Sequence, residues 1–307
     1  DHIRPRLIIL METEIWPNLI RLAAKRDIPV QLSNARLSAK SLRGYYRYAR
    51  CLLREPLATL RVDAQTRFDA RRYRVIGVPA AHITITPNLK YQTPTALPLP
   101  ADIAAARTPD TWIAASTHPG EEEIVIAAHR LLQQYLPHAR LIIAPRHPER
   151  RDNIAQHIHA AGYTPRLRSR DETPRDSSDI YLLDTLGELN HYYRISDLAY
   201  IGGSLIPHGG HNPLEALHAS IPVVFGRSMY NFQHIRDALV HQPFVRELAD
   251  DRPETLAAAL LALHDTPLKD AIRAYMAPYH NIVAAHQQHI DALLNEQKAT
   301  TANIAQT

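Results

Sequence analysis

The chain has 307 residues, 45% apolar and 21% charged, with a formal net charge of +4. This is enough apolar sequence for a real core and enough length for two domains, which excludes a disordered or fibrous protein. A lone cysteine, Cys51, excludes a disulfide framework and a cysteine-built zinc site, and no apolar run approaches the roughly 20 residues that cross a bilayer. The positive charge fits an acidic partner without distinguishing nucleic acid, an anionic membrane or a phosphorylated small molecule.

In chain order, "LIILM" (residues 7–11) reads as a strand buried on both faces. Because the chain starts at Asp1 and enters this run within six residues, we expect an N-terminal portion to precede it. A helix opens near Pro17, and "IPVQLS" (28–33) supplies a second strand, so the spacing predicts a parallel βαβ unit. A basic helix follows over 38–54, then strands over 60–64 and 82–86. The proline-rich, aperiodic 87–100 reads as an interdomain linker. Beyond it, strands at 112–116, 140–145, 180–184, 198–203 and 221–226 alternate with helical patterns, predicting a doubly wound parallel sheet. The tail from Pro253 is helical and ends in a polar segment expected to be disordered. The fold class is therefore α/β, with a first domain over 1–95, a second over 96–298 and a tail over 299–307.

The stretch "GGSLIPHGGHNPLEALHASIPVVFG" (202–226) places four of ten glycines, Gly202, Gly203, Gly209 and Gly210, within nine positions. It lies at the carboxyl edge of the predicted sheet, where folds of this class bind ligands. Asn212 suits an N-cap, Pro213 suits N1 and Glu215 falls at N3, so free N–H groups at a helix start would face a phosphate. The alternative is that these glycines only make turns and Glu215 only completes a capping box. His208 and His211 could form a metal pair, but the sequence places no third ligand, and hydrogen bonding to a ligand is the preferred reading.

In "APRHPER" (144–150), Arg146, His147 and Arg150 also follow a strand, and the arginine fork suits phosphate or carboxylate. In "ASTHPGEEE" (115–123), the acidic run is read as complementing a helix dipole, while Ser116, Thr117, His118 and Gly120 are candidate ligand contacts. Glu12 and Glu14 follow the first strand, where alternation would put both on one face as a base or acceptor; the rival is a salt bridge to an arginine such as Arg36. Arg43, Arg47, Arg50 and Arg54 align on one helix face, which is either solvated or a docking surface for anionic lipid or phosphate.

Taken together and in this order, "METEIWPNLI", "NARLS", "RGYYR", "AASTHPGEEE", "PRHPER", "DTLGEL", "GGSLIPHGGHNPLEA" and "YNFQ" resemble the 3-deoxy-D-manno-octulosonic acid (Kdo) transferases of Gram-negative lipopolysaccharide synthesis, over residues 7–285. The resemblance implies a GT-B fold, two Rossmann-like domains facing across a cleft, with the first on the acceptor side and the second holding CMP-Kdo. It implies inverting transfer of Kdo to a lipid A precursor at the cytoplasmic face of the inner membrane, without a metal or other cofactor. Arg146, His147, Gly202, Gly203, Ser204, Gly209, Gly210, His211 and Asn212 would then surround the donor, with Glu215 reaching the ribose hydroxyls. Glu14, supporting the chemistry, would line the acceptor side with Glu12 and Arg36, and Arg43, Arg47 and Arg50 would meet the anionic membrane. The family's proposed base is a glutamate in an N-terminal segment not seen here, so the chain by itself is expected to catalyse little. "PNLK" at 87–90 and "LEA" at 214–216 depart from the usual "GNLK" and "LEP". Two rivals remain: a UDP-sugar enzyme of the same superfamily, such as a UDP-N-acetylglucosamine 2-epimerase, and a basic nucleic-acid-binding protein. "ETEIWPN" with "NARLS" argues against the first, and the second would need more interleaved aromatics than the 43–54 helix offers, so nucleic acid is not expected as a partner.

Overall fold

Short runs of Ile, Val and Leu, each followed by a longer segment of helical period, fold as strand and helix repeats. The structure, a computed structural model, describes residues 3, 5–48, 54–92, 98–173 and 176–304. Among these, every strand pair is parallel. The chain divides into two compact units, residues 1–93 with 278–307, and residues 94–277. No helix among the described residues is long and apolar enough to cross a membrane.

The first unit carries β1 (Ile8–Met11), β2 (Val30–Ala35), β3 (Arg61–Ala64) and β4 (Ile83–Ile85), in that spatial order. All six residues of β2 are buried, and its Leu32 belongs to one core cluster with Ile20, Leu57, Leu60, Val62 and Tyr73. At roughly 1.5–3 kcal/mol for each large apolar side chain removed from water, this cluster holds the sheet to its helices. Where "LIILM" reads as buried on both faces, the burial of β1, an outer strand among the described residues, alternates, with Ile9 and Met11 exposed. Of the expected basic helix, the described residues show helix over Ala39–Tyr48, packing Leu42 and Tyr45 inward and leaving Arg43 and Arg47 exposed. Helix is described again over Arg54–Thr59, and residues 49–53, Arg50 among them, lie outside the described residues.

The final helix, Ile282–Ile304, belongs to the first unit, which corrects the assignment of residues up to 298 to the second domain. Helix also continues through 299–304, where a disordered tail was expected. The reason is a polar junction as well as apolar burial of Ile282 and Leu293. The buried Asp63 carboxylate accepts from the Gln31 side-chain amide and lies 2.9 Å from His286 Nδ1 and 2.8 Å from His289 Nδ1. A charge buried this way is tolerated only while its partners remain in place.

The second unit contains β5 (Thr111–Thr117), β6 (Arg140–Pro145), β7 (Thr164–Leu167), β8 (Asp179–Leu182), β9 (Leu198–Ile201), β10 (Val223–Phe225) and β11 (Val245–Glu247). Their order is β11-β10-β9-β5-β6-β8-β7, a doubly wound sheet with β7 and β11, both unanticipated, at its edges. Fully buried Trp112 on β5 donates its indole N–H to His129 Nδ1, 3.1 Å away on the helix Glu121–Leu132.

Replacing Asp63 by Ala leaves three inward-facing polar partners without an acceptor, so Asp63→Ala is expected to cost about 2–4 kcal/mol. Urea unfolding followed by circular dichroism should show the first unit melting at lower denaturant; an unchanged midpoint would mean that the C-terminal helix is held by apolar packing alone.

Candidate functional site

Strand order reverses at β5, which has β6 on one side and β9 on the other. Connections leaving such neighbours diverge, opening a crevice at their carboxyl ends. The loops after β5 and β9 emerge here, and their positions are set by close backbone approach. A Cβ on Gly202 would collide with the Ser116 carbonyl, so only glycine lets the end of β9 lie against the end of β5. Ser116 itself adopts φ 57°, at a register irregularity between Ala115 and Thr117. The glycine crowding is thus explained first by the protein's own packing. Gly209 and Gly210, at φ 102° and 71°, turn the loop back so that the Gly210 N–H reaches the Gly203 carbonyl at 2.7 Å.

The central tie is Glu121. Its fully buried carboxylate accepts from the N–H groups of Gly203 (2.7 Å), Ser204 (3.1 Å), Leu205 (3.1 Å) and His118 (3.0 Å), and from the Tyr200 hydroxyl (2.6 Å). Reading this acidic run only as complementing a helix dipole is therefore corrected: Glu121 joins the two loops. Buried Glu122 receives both terminal nitrogens of Arg150, at 2.8 and 3.0 Å, so Arg150 is committed to the scaffold. Ser204 is spent internally as well. Its buried hydroxyl donates to the Ile201 carbonyl and accepts from the Gly226 N–H, which removes it from the expected donor contacts.

Four imidazoles converge above this joint. His118 Nε2 and His211 Nε2 lie 2.8 Å apart, the two rings end to end and nearly coplanar with centres 5.1 Å apart. The His208 ring centre is 3.9 Å from that of His118, and His147 meets His118 edge-on at 5.9 Å. Burial, reinforced by the neighbouring imidazoles, lowers the pKa of His118 and depresses that of His211 to about 4. Both are therefore neutral at pH 7, and their mutual hydrogen bond uses the N–H of one ring and the lone pair of the other, leaving one N–H and one lone pair on the pair. Arg146 is exposed beside them, its backbone N–H held by the Thr117 carbonyl at 3.0 Å. Tyr230 and Asn231 secure the loop by donating to the Pro207 and His208 carbonyls, each at 3.0 Å.

The expected helix start is also corrected. The helix spans only Leu214–His218, flanked by Pro213, although Asn212 Oδ1 still accepts from the Leu214 N–H at 3.2 Å. A helix this short supplies little dipole, so an anion here would depend on imidazoles and Arg146 rather than on the helix end. Glu215 is half-buried, and burial raises its pKa against the opposing Asn212 hydrogen bond.

In the first unit, Glu12 and Glu14 lie beyond the end of β1, so strand alternation does not align them. Glu12, at φ 56°, pairs with Arg36 at 3.3 Å on the surface, as the salt-bridge alternative expected. Glu14 instead accepts from the Trp16 indole N–H at 2.5 Å. His118, Glu121, Tyr230 and Asn231 are the residues whose roles sequence reasoning passed over or understated. Their sequence signal is membership of the motifs "AASTHPGEEE" and "YNFQ", which does not say what each side chain holds.

Two parallel sheets, the second with an anion-ready switch point, define an α/β fold of the GT-B glycosyltransferase type. The family described as 3-Deoxy-D-manno-octulosonic-acid transferase (kdotransferase) matches residues 1–93. A 3-deoxy-D-manno-octulosonic acid transferase of Bordetella pertussis is 37% identical over 310 residues, covering 94% of this chain and 69% of that protein. One from Haemophilus influenzae is 39% identical over 268 residues, covering 86% of this chain and 62% of its own length. The C-terminal CMP-Kdo binding domain of WaaA from Acinetobacter baumannii is similar in structure, with a TM-score of 0.51 and 29% identity, covering 60% of this chain and 98% of that domain. The chain belongs to the 3-deoxy-D-manno-octulosonic acid transferase family.

Glu121→Gln places an amide N–H2 among five donors and is expected to destabilise the second unit by about 3 kcal/mol, read in urea unfolding. The histidines set a pH dependence. Below about pH 6.5 the unfolded chain takes up protons that folded His211 refuses until about pH 4, so stability falls as pH drops through this window. Thermal melts of His211→Gln should show a flatter dependence between pH 7 and 4; an unchanged slope would assign the effect elsewhere.

Proposed function

We propose that this chain carries the donor site of a Kdo transferase, an enzyme that moves Kdo from CMP-Kdo to a hydroxyl of a lipid A precursor. The observation that carries this reading is the His118, His147, His208, His211 and Arg146 cluster at the switch point of a sheet similar to a CMP-Kdo binding domain. CMP-Kdo presents one phosphate and one carboxylate, and neutral imidazole N–H groups with a guanidinium fork are suited to both. Glu215 lies two residues beyond Pro213 and is the candidate acceptor for ribose hydroxyls, its partly buried carboxyl gaining most from a hydrogen-bonding ligand.

In the transfer step a carboxylate base takes the proton of the acceptor hydroxyl, whose oxygen bonds to the Kdo anomeric carbon as the bond to the CMP phosphate oxygen breaks. The charge left on CMP is stabilised by Arg146 and the imidazole donors. Glu14, Glu12 and Arg36 are proposed for the acceptor side. Arg43 and Arg47, exposed on one helix face, are proposed to meet the anionic cytoplasmic surface of the inner membrane. Family membership does not favour the UDP-sugar reading.

Calorimetric titration of the full chain with CMP, and with UMP in parallel, tests the donor site. CMP is expected to bind preferentially, with Arg146→Ala and Glu215→Ala each weakening it by about tenfold, roughly 1.4 kcal/mol. A preference for UMP would overturn the reading in favour of a UDP-sugar enzyme. For the membrane face, Arg43→Glu with Arg47→Glu should reduce co-sedimentation with anionic vesicles, an effect that added salt should mimic.

A further inference from the structure

His118 comes from the loop after β5, whereas His208 and His211 come from the loop after β9. One ring nitrogen of each lies within 4.8 Å of those of the other two. The tertiary structure thus supplies the third ligand that sequence spacing alone lacks. We propose that His118, His208 and His211 form a binding site for a divalent transition cation of the Zn2+ or Co2+ class, with one coordination position open to water or an anionic oxygen.

A metal asks a concerted adjustment of the three rings. Imidazole nitrogens about 2.0–2.1 Å from a tetrahedral zinc stand about 3.3–3.4 Å from each other. His118 Nε2 and His211 Nε2 are now 2.8 Å apart and point at each other, so they open by roughly half an ångström and tilt toward the metal, while the His208 nitrogen, within 4.8 Å of both, draws in. The ring that holds its proton on Nε2 shifts it to Nδ1, freeing both lone pairs for the metal. Imidazole is a good ligand for zinc, cobalt, nickel and copper. The floor beneath the rings is clear because residue 203 is glycine: a Cβ there would stand 3.1 and 3.2 Å from the Cδ2 atoms of His211 and His208. Burial is graded, with His118 buried, His211 half-buried and His208 exposed, so a cation enters past His208. Arg146 and His147 disfavour a bare cation here and favour an anionic fourth ligand. The inference concerns binding only, assigns the metal no part in transfer and goes beyond the donor reading.

Titrating the full chain with Co2+, without nucleotide, and recording visible absorption tests it directly. We expect one saturating equivalent with the intense bands of a four-coordinate site, displaced by Zn2+. His118→Asn and His211→Gln should each weaken binding by about tenfold or more. His208→Gln, at an exposed position, should do the same without any folding penalty, and His234→Asn should change nothing. No saturable spectrum, or the same spectrum in all three cluster variants, would overturn the site. Because nucleotide is absent, that failure leaves the CMP reading standing, and failure to bind CMP leaves the metal result standing.

Discussion

A single buried carboxylate accepting five hydrogen bonds organises the ligand edge of the second sheet. Glu121 opens the helix that follows β5, yet most of its partners lie on or after β9, more than 75 residues along the chain. An unpaired carboxylate at this depth would be strongly disfavoured, so each of those donors is in effect required to be where it is. The three successive N–H groups of 203–205 form a nest of the kind that often receives an external anion. Here the protein's own side chain fills it, and the loop is rigid before any ligand arrives.

That internal neutralisation displaces recognition to the next layer. With the backbone donors used, Ser204 turned inward and Arg150 held by Glu122, the groups still facing outward are imidazoles and Arg146. Crowding these rings together keeps His118 and His211 uncharged near neutrality, so they act as directional donors and lone pairs rather than as positive charges. Neutral donors reward correct geometry more than charge alone. The same lone pairs are what make the cluster competent toward a transition cation.

The first unit uses a comparable device for a different purpose. Asp63, on a central strand, gathers Gln31 from the adjacent strand and two histidines from the last helix, tying residues far apart in sequence into one core. His286 and His289 lie on a helix whose pattern gives no hint of which sheet it will cover. The second domain adjoins it in sequence, and the sequence reading assigned it there accordingly.

Much of the architecture was legible because strands buried on both faces tend to carry apolar runs: β5, β6, β8, β9 and β10 each do, whereas β2, "VQLSNA", is fully buried with three polar residues. The edge strands β7 and β11 escaped because each has a single buried residue, and "TPRL" and "VRE" carry no distinctive period. Family membership was legible from the ordered motifs, and the switch-point location of 202–213 from alternation of strands and helices. Sequence by itself determined which residue types stand at each strand's carboxyl end, since hydrophobic period and glycine placement are local properties. Only the tertiary structure decided which of them are engaged internally and which stay turned outward. That choice depends on hydrogen bonds between segments distant in the chain, where Glu121 and Glu122 consume donors, His118 joins His208 and His211, and Arg146 remains exposed.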